Sequence, residues 1–222
     1  MELFGDLFPA YFRVVTQIFC AFGLLLALRL AGWRRLREAE QLHLFLGSCV
    51  TLSLLWHIRV QVDPAWSFHL LGITTVTLMF GWSFAVLAGV IAEFTVTVNL
   101  GHNWAGFAIN AMLLTLVPAT LTQTLLVLVH SLLPRNFFIY VLVNAFLGAG
   151  LVALISGFLA AGLLLLFSGS HDWEHLTLNL IPYFPLMFLP ESVVNGWIVT
   201  MLVLYKPNWI SSFSDELYLK GK

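Results

Sequence analysis

The sequence predicts an all-α polytopic membrane protein of about seven transmembrane helices, N-terminus outside and C-terminus cytoplasmic, and three observations predict it. Hydrophobic residues make up 60% of the chain and charged residues 9%, against about a quarter charged in ordinary soluble domains. A soluble fold that apolar could not cover its own surface, so lipid is the expected solvent. Nonpolar tracts of roughly 20 residues, the length that spans a hydrocarbon core, account for most of the chain. The basic residues and tryptophans then sort by interface along those tracts, as worked out below.

The elements follow in order, as one integral membrane domain over 1–222. The first helix, 10–31, follows an acidic start (Glu2, Asp6) without the basic residues and small-residue cleavage pattern of a signal peptide, and is expected to be retained. The second, 42–62, follows a basic loop. The third and fourth, 67–81 and 83–99, are short and share a tight Gly81-Trp82 turn, and the fifth covers 105–131. The sixth, 136–168, is long enough to tilt. Its Ala145, Ala149, Ala153, Gly157 and Ala161, at four-residue spacing, let a neighbouring backbone approach closely, as do Ala85 and Gly89 on the fourth. Pro182, Pro185 and Pro190 interrupt the seventh, 176–205, which should be kinked or partly unwound.

Placing the 32–41 loop inside puts Arg34, Arg35 and Arg37 on the cytoplasmic side. With seven spans, Arg135, Lys206, Lys220 and Lys222 also fall inside, and Arg29 lies near that face. Arg13 and Arg59 lie toward the outside. Trp33, Trp82 and Trp209 then mark the inner interface, and Trp56, Trp66, Trp104 and Trp173 the outer one.

Several function classes are excluded. A net charge of −1 with scattered Lys and Arg gives no nucleic-acid footprint. Cys20 and Cys49 sit in apolar runs, outside any C-x-x-C pair, and read as small core residues. No phosphate-binding glycine loop, dinucleotide fingerprint or nucleophile elbow occurs, so any ATP-driven step needs another subunit.

Candidate site residues are histidines and intramembrane polar groups. Phe68-His69-Leu70-Leu71-Gly72 follows a short polar connector (63–67) at the mouth of an apolar run that reaches Phe80. His57, His69, His102, His171 and His175 fall toward the outside, and neutral imidazole binds nickel, cobalt, zinc and copper. Taken singly, each reads as an amphipathic interfacial residue. His171-Asp172-Trp173-Glu174-His175 places two histidines four apart, but its acid is misplaced for H-E-x-x-H. Within spans lie the carboxylates Glu93 and Glu191 and the amides Asn110 and Asn144. Glu191 follows Pro190 and shares a helix face with Asn195, an arrangement that lines a cation path or bonds one helix to another. Glu93, on the small-residue face, reads as an interhelical contact.

Three tracts carry a family resemblance. His69-Leu70-Leu71-Gly72 through Phe80-Gly81 resembles the H-P-T-G to F-G run of the membrane substrate-capture subunits of cobalt and nickel energy-coupling-factor transporters, the CbiM/NikM type. The 102–110 tract, from His102 to Asn110, is similar to that family's H-G-G-x-T-x-L-G-A-N. Pro190-Glu191-Ser192 with Asn195-Gly196 resembles its A-E-G-x-x-T. The Leu133-Pro134-Arg135-Asn136-Phe137 and Tyr205-Lys206-Pro207 stretches are similar to a short bacterial branch of these permeases. The resemblance covers about 67–205. It implies a seven-helix subunit of the bacterial cytoplasmic membrane that captures a divalent transition metal from outside. It also implies a transmembrane coupling subunit and cytoplasmic ABC ATPases as partners, and no permanent cofactor. His69 would be a metal ligand, and the tract around His102 and Asn110 would support or line the site. This chain departs from the family at its start, where Met1-Glu2 stands in place of Met-His. A carboxylate there cannot complete an all-nitrogen square-planar site.

Two expectations follow. In the first, the chain is a transport subunit, not an enzyme, for a cobalt- or nickel-like ion. His69 is then the principal ligand, with His102 and His57 as co-ligands. Asn110 stands behind the site, and Glu191, Asn195 and Glu93 are candidates for the path. In the second, the chain is a noncatalytic membrane assembly or interaction protein that keeps the fold and has lost the capture site. An intramembrane enzyme using Glu93 or Glu191 has no motif behind it.

Overall fold

The computed structural model describes residues 2–3, 5–63, 66–101, 104–167, 173–214 and 218, without the side chains of 2, 62, 63, 66 and 175. In chain order the elements are β1 (Glu2–Leu3), α1 (Ala10–Leu30), α2 (Ala39–His57), β2 (Val60–Asp63), β3 (Trp66–Phe68) and α3 (Ile73–Phe80). These are followed by α4 (Trp82–Asn99), α5 (Phe107–Leu132), α6 (Phe137–Phe167), α7 (Trp173–Asn179) and α8 (Phe184–Tyr205).

The helical membrane class holds. Among the described residues, five helical stretches are long and apolar enough to cross a membrane: Ala10–Leu30, Trp82–Asn99, Phe107–Leu132, Phe137–Phe167 and Leu176–Tyr205. Helix α2 falls short because Glu40, Gln41 and His43 lower the mean hydropathy of its first turns. With eight residues, α3 is only about 12 Å long at the helical rise.

Differences from expectation concentrate between 57 and 72. The second helix stops at His57 instead of 62, and the third starts at Ile73 instead of 67. Between them β2 and β3 pair antiparallel, and β1 adds to β3's other edge with Glu2 opposite Ser67 and Leu3 opposite Trp66. The cause is local. Val60-Gln61-Val62 and Trp66-Ser67-Phe68 carry β-branched and aromatic residues at period two on either side of an Asp63-Pro64 step. Gly72 then turns the chain into α3 with φ +67°, a left-handed conformation that a side chain strains.

Proline and glycine shape the remaining helices. Gly81, φ +85°, makes the expected turn between α3 and α4. Helix α5 carries a π segment at Met112–Leu116, just before Pro118 removes one rung of the hydrogen-bond ladder. Helix α6 begins with Asn136 accepting the Phe138 N–H at 2.8 Å, and has its own π segment at Tyr140–Leu147. The expected break in the seventh helix lies at Ile181–Tyr183, a 3-10 turn, whereas Pro190 is carried inside α8. The small-residue stripe of α6 is buried along its whole length. A Cβ added at Gly150 would fall 2.1 Å from Ser192 Oγ, so α6 and α8 pack without room for a methyl.

All eight residues of α3 are buried, and it lies against α2, α4, α5, α6 and α8. Its first turn follows the link that leaves β3. Its last turn faces the stretch after α8, where Ser211 N–H reaches Met79 O at 2.9 Å. The stretch after α8 thus closes the last turn of α3, and β1 pairs with the strand that leads into its first turn.

Candidate metal-capture site

His69 sits in the extended link between β3 and α3, outside the spanning helices and 8% exposed. Its ring lies against Trp56 with centroids 5.3 Å apart, and Trp56 Nε1–H donates to Leu71 O at 2.9 Å, fixing the link from behind. His69 Nδ1 is 3.1 Å from Leu70 O, so Nδ1 carries the proton and Nε2 keeps the lone pair. Burial holds the imidazole well below the ordinary histidine range, with nearby positive charge adding to the effect. A neutral imidazole with an unprotonated Nε2 is the form that ligates metal. His69 lines a cavity of about 210 Å³ together with Phe68, Ile58, Met187, Pro190 and Glu191.

The Glu191 carboxylate is committed to backbone. Its Oε2 accepts the Leu71 N–H at 2.8 Å and its Oε1 the Gly72 N–H at 2.7 Å. Asn195 Nδ2 donates to Glu191 Oε1 at 2.9 Å and to Glu191 O at 2.8 Å. Asn195 Oδ1 accepts from Thr75 N at 3.1 Å and Thr75 Oγ1 at 2.6 Å. A helix start leaves its first N–H groups without intrahelical partners. Here the N–H groups of Gly72, which precedes α3, and of Thr75 in its first turn are satisfied from α8, and a carboxylate is well placed at the positive end of the helix dipole. Both residues are almost fully buried.

Asn110 works at the other edge of the sheet. Its Oδ1 accepts the Leu3 N–H at 2.9 Å and its Nδ2 donates to Leu3 O at 3.1 Å, so the amide pairs with residue 3 as a neighbouring strand would. Close contact of Gly5 with Gly106, where a Cβ on Gly5 would lie 2.1 Å from Gly106 N, draws the same two segments together. Residue 2 is thereby held opposite Ser67, two positions before His69.

The other expected residues are placed elsewhere. His57 ends α2, half-buried, with Nδ1 2.6 Å from Ser53 O and Nε2 3.5 Å from Asn99 Nδ2, and it does not line the His69 cavity. Glu93 is buried on α4, which packs on α1 and α5, and its backbone oxygen accepts from Thr97 Oγ1 at 2.9 Å. His102, His171 and Asp172 lie outside the described residues. Among the described residues, no group of three or more His, Cys, Asp or Glu side chains converges. Sequence reasoning missed Trp56 and Met187 as neighbours of His69, because each is brought there by packing between helices.

The model of the family described as cobalt uptake substrate-specific transmembrane region matches residues 6–209. The chain belongs to this family. It is a multi-pass membrane protein of the metal-uptake class, and the family is a component of multi-subunit cobalt uptake transporters. The fold of this cobalt-uptake family member is shared with a crystal structure of a truncated transition metal transporter. The two superpose with TM-score 0.71 at 14% identity, covering 92% of this chain and 99% of that one. No curated protein matches it in sequence.

Proposed function

We propose that the chain is the capture subunit of an uptake system for a divalent transition metal ion, cobalt- or nickel-like, with His69 as the principal ligand. One observation carries this reading: a buried, neutral imidazole has Nδ1 tied to Leu70 O and lines a 210 Å³ cavity, beside the strand that holds residue 2 opposite Ser67. His102 is the proposed co-ligand, on the resemblance. His57 is a weaker one, because its Nδ1 is engaged by Ser53 and it lies away from the cavity lining. Asn110, Glu191 and Asn195 act as positioning groups, holding the N-terminal strand and the start of α3. Glu93 belongs to the path only if an ion passes between α4 and its neighbours.

In this reading the His69 end faces outward in a bacterial inner membrane. The end with Arg34, Arg35, Arg37 and Lys206 faces the cytoplasm, where a coupling subunit and ABC ATPases drive uptake. The test is metal bound per purified chain, by calorimetry and elemental analysis, for the parent and His69→Ala. Stoichiometric binding abolished by the substitution is expected. No binding in the parent, or binding that survives His69→Ala, overturns the site.

Glu2 in place of the family's histidine favours a second reading, a membrane assembly protein without capture. Copurification separates the two. An ATPase and a coupling subunit fit transport, and an unrelated enzyme complex fits assembly.

A further inference from the structure

A cleft of about 300 Å³ runs along the flank of α3, walled by α2 and α8. Gly47 and Thr51 line it from α2, Thr75 and Met79 from α3, and Ile198 and Leu202 from α8. We propose that this cleft binds one acyl chain of an anionic phospholipid whose phosphate is met by Arg35 and Lys206. The inference goes beyond metal capture and does not depend on it.

Size selects the occupant. The cleft extends from Leu44 to Leu55 on α2, a length of about 16 Å at the helical rise. Its mean cross-section is therefore roughly 20 Å², that of one extended hydrocarbon chain, whereas a helix about 10 Å across could only lie over the mouth without filling the cleft. The wall chemistry agrees. Ser48 Oγ is bonded to Leu44 O at 2.9 Å and Thr75 Oγ1 to Asn195 at 2.6 Å, so these hydroxyls ask nothing of a ligand. Of the lining residues, Gly47, Thr51 and Ile198 are exposed, as expected of a lipid-facing flank.

Charge selects the head group and the leaflet. At the Met79–Leu202 end, Arg35 Nη1 donates to Met79 O at 3.1 Å, and its guanidinium lies 5.2 Å over the Phe80 ring. Lys206, one turn beyond Leu202, is exposed with its Nζ 5.6 Å over the Trp209 ring. Two acids lie at that end: Glu40 accepts from Trp209 Nε1 at 2.7 Å, and the exposed Glu38 acts electrostatically on Arg35, so four cations face two carboxylates. Arg34 and Arg37 are exposed on the same turn as Arg35. An anionic phosphate is the complement of that surface.

Gly47 provides a clean test, since a Cβ added there meets nothing within 4 Å. The full chain is purified in mild detergent, titrated with mixed phosphatidylglycerol and phosphatidylethanolamine, and read by native mass spectrometry. One retained phosphatidylglycerol per parent chain is expected. Gly47→Phe should cut that retention tenfold or more, and Thr51→Leu should weaken it. Leu54→Phe, on the flank outside the cleft, should leave it unchanged. Lys206→Gln should remove the preference for phosphatidylglycerol over phosphatidylethanolamine. Unchanged retention in Gly47→Phe overturns the proposal. So does loss of a copurifying membrane protein from Gly47→Phe with lipid retention intact, which would assign the cleft to a partner helix.

Discussion

The carboxylate of Glu191 accepts the backbone N–H of Gly72 at 2.7 Å across 119 residues of sequence, and its second oxygen accepts that of Leu71. Through this bond α8 sets where α3 begins, and so the position of the link that carries His69.

Glu191→Ala should cost about 2 to 4 kcal/mol, because it leaves the buried Leu71 N–H and the half-buried Gly72 N–H without acceptors, each worth roughly 1–3 kcal/mol. Glu191→Gln keeps one carbonyl acceptor but sets its NH2 donor against the other N–H, so it should cost at least half as much. Thermal unfolding in detergent reads both. If Glu191→Gln keeps parent stability and stops metal uptake, the residue is a step on the ion path and not a helix cap.

Asn110→Ala should free the start of the chain. Leu3 loses both amide partners, so its exchange protection should fall by at least tenfold, the equivalent of about 1.4 kcal/mol. Asn110→Asp is a sharper probe. It can keep an acceptor for Leu3 N–H but sets an oxygen against Leu3 O, so it should be no better than alanine. Metal binding should weaken in both variants if residue 2 belongs to the site.

Much of the helical frame was legible in the sequence, because long apolar runs ending at Gly81, Asn136 or the proline cluster leave few alternatives. The 57–72 stretch was not. Val60 and Val62 extend the apolar run of α2, and the period-two pattern is only three or four residues long on each side of Asp63-Pro64. The candidate site was half legible. His69 stood out by its position, and Glu191 with Asn195 by their helix spacing. Their hydrogen-bond partners, like the Asn110–Leu3 pair, are more than 100 residues away in sequence and exist only through packing.

Acid should destabilise the protein through His69. The folded imidazole is held well below 6.5, the ordinary value. Above that value folded and unfolded chains are both neutral, and stability does not vary through this group. As pH falls below it, the unfolded chain takes a proton that the folded chain refuses, and stability drops by up to about 1.4 kcal/mol per pH unit. Unfolding curves between pH 7 and 5 should therefore show a slope that His69→Gln reduces. Metal bound to Nε2 should protect against the loss, and an equal slope in parent and variant would place the titration elsewhere.

Ser212 holds the far end of α3, and its removal should loosen the molecule there alone. Its Oγ donates to Leu78 O at 2.8 Å and accepts from Tyr140 OH at 2.6 Å, while Tyr218 OH bonds to His130 Nε2 beside it. Ser212→Ala and Tyr140→Phe should each cost about 1 kcal/mol. The double variant should cost less than their sum, because both remove the same bond. Leu78 O keeps a second donor in Ser212 N–H at 3.3 Å, so α3 should not unravel. Hydrogen exchange should accelerate at Ser211 and Ser212 and stay unchanged at Leu71 and Gly72, whose protection comes from Glu191. Faster exchange at both ends would mean that α3 responds as one rigid piece, linking the basic face to the His69 cavity mechanically.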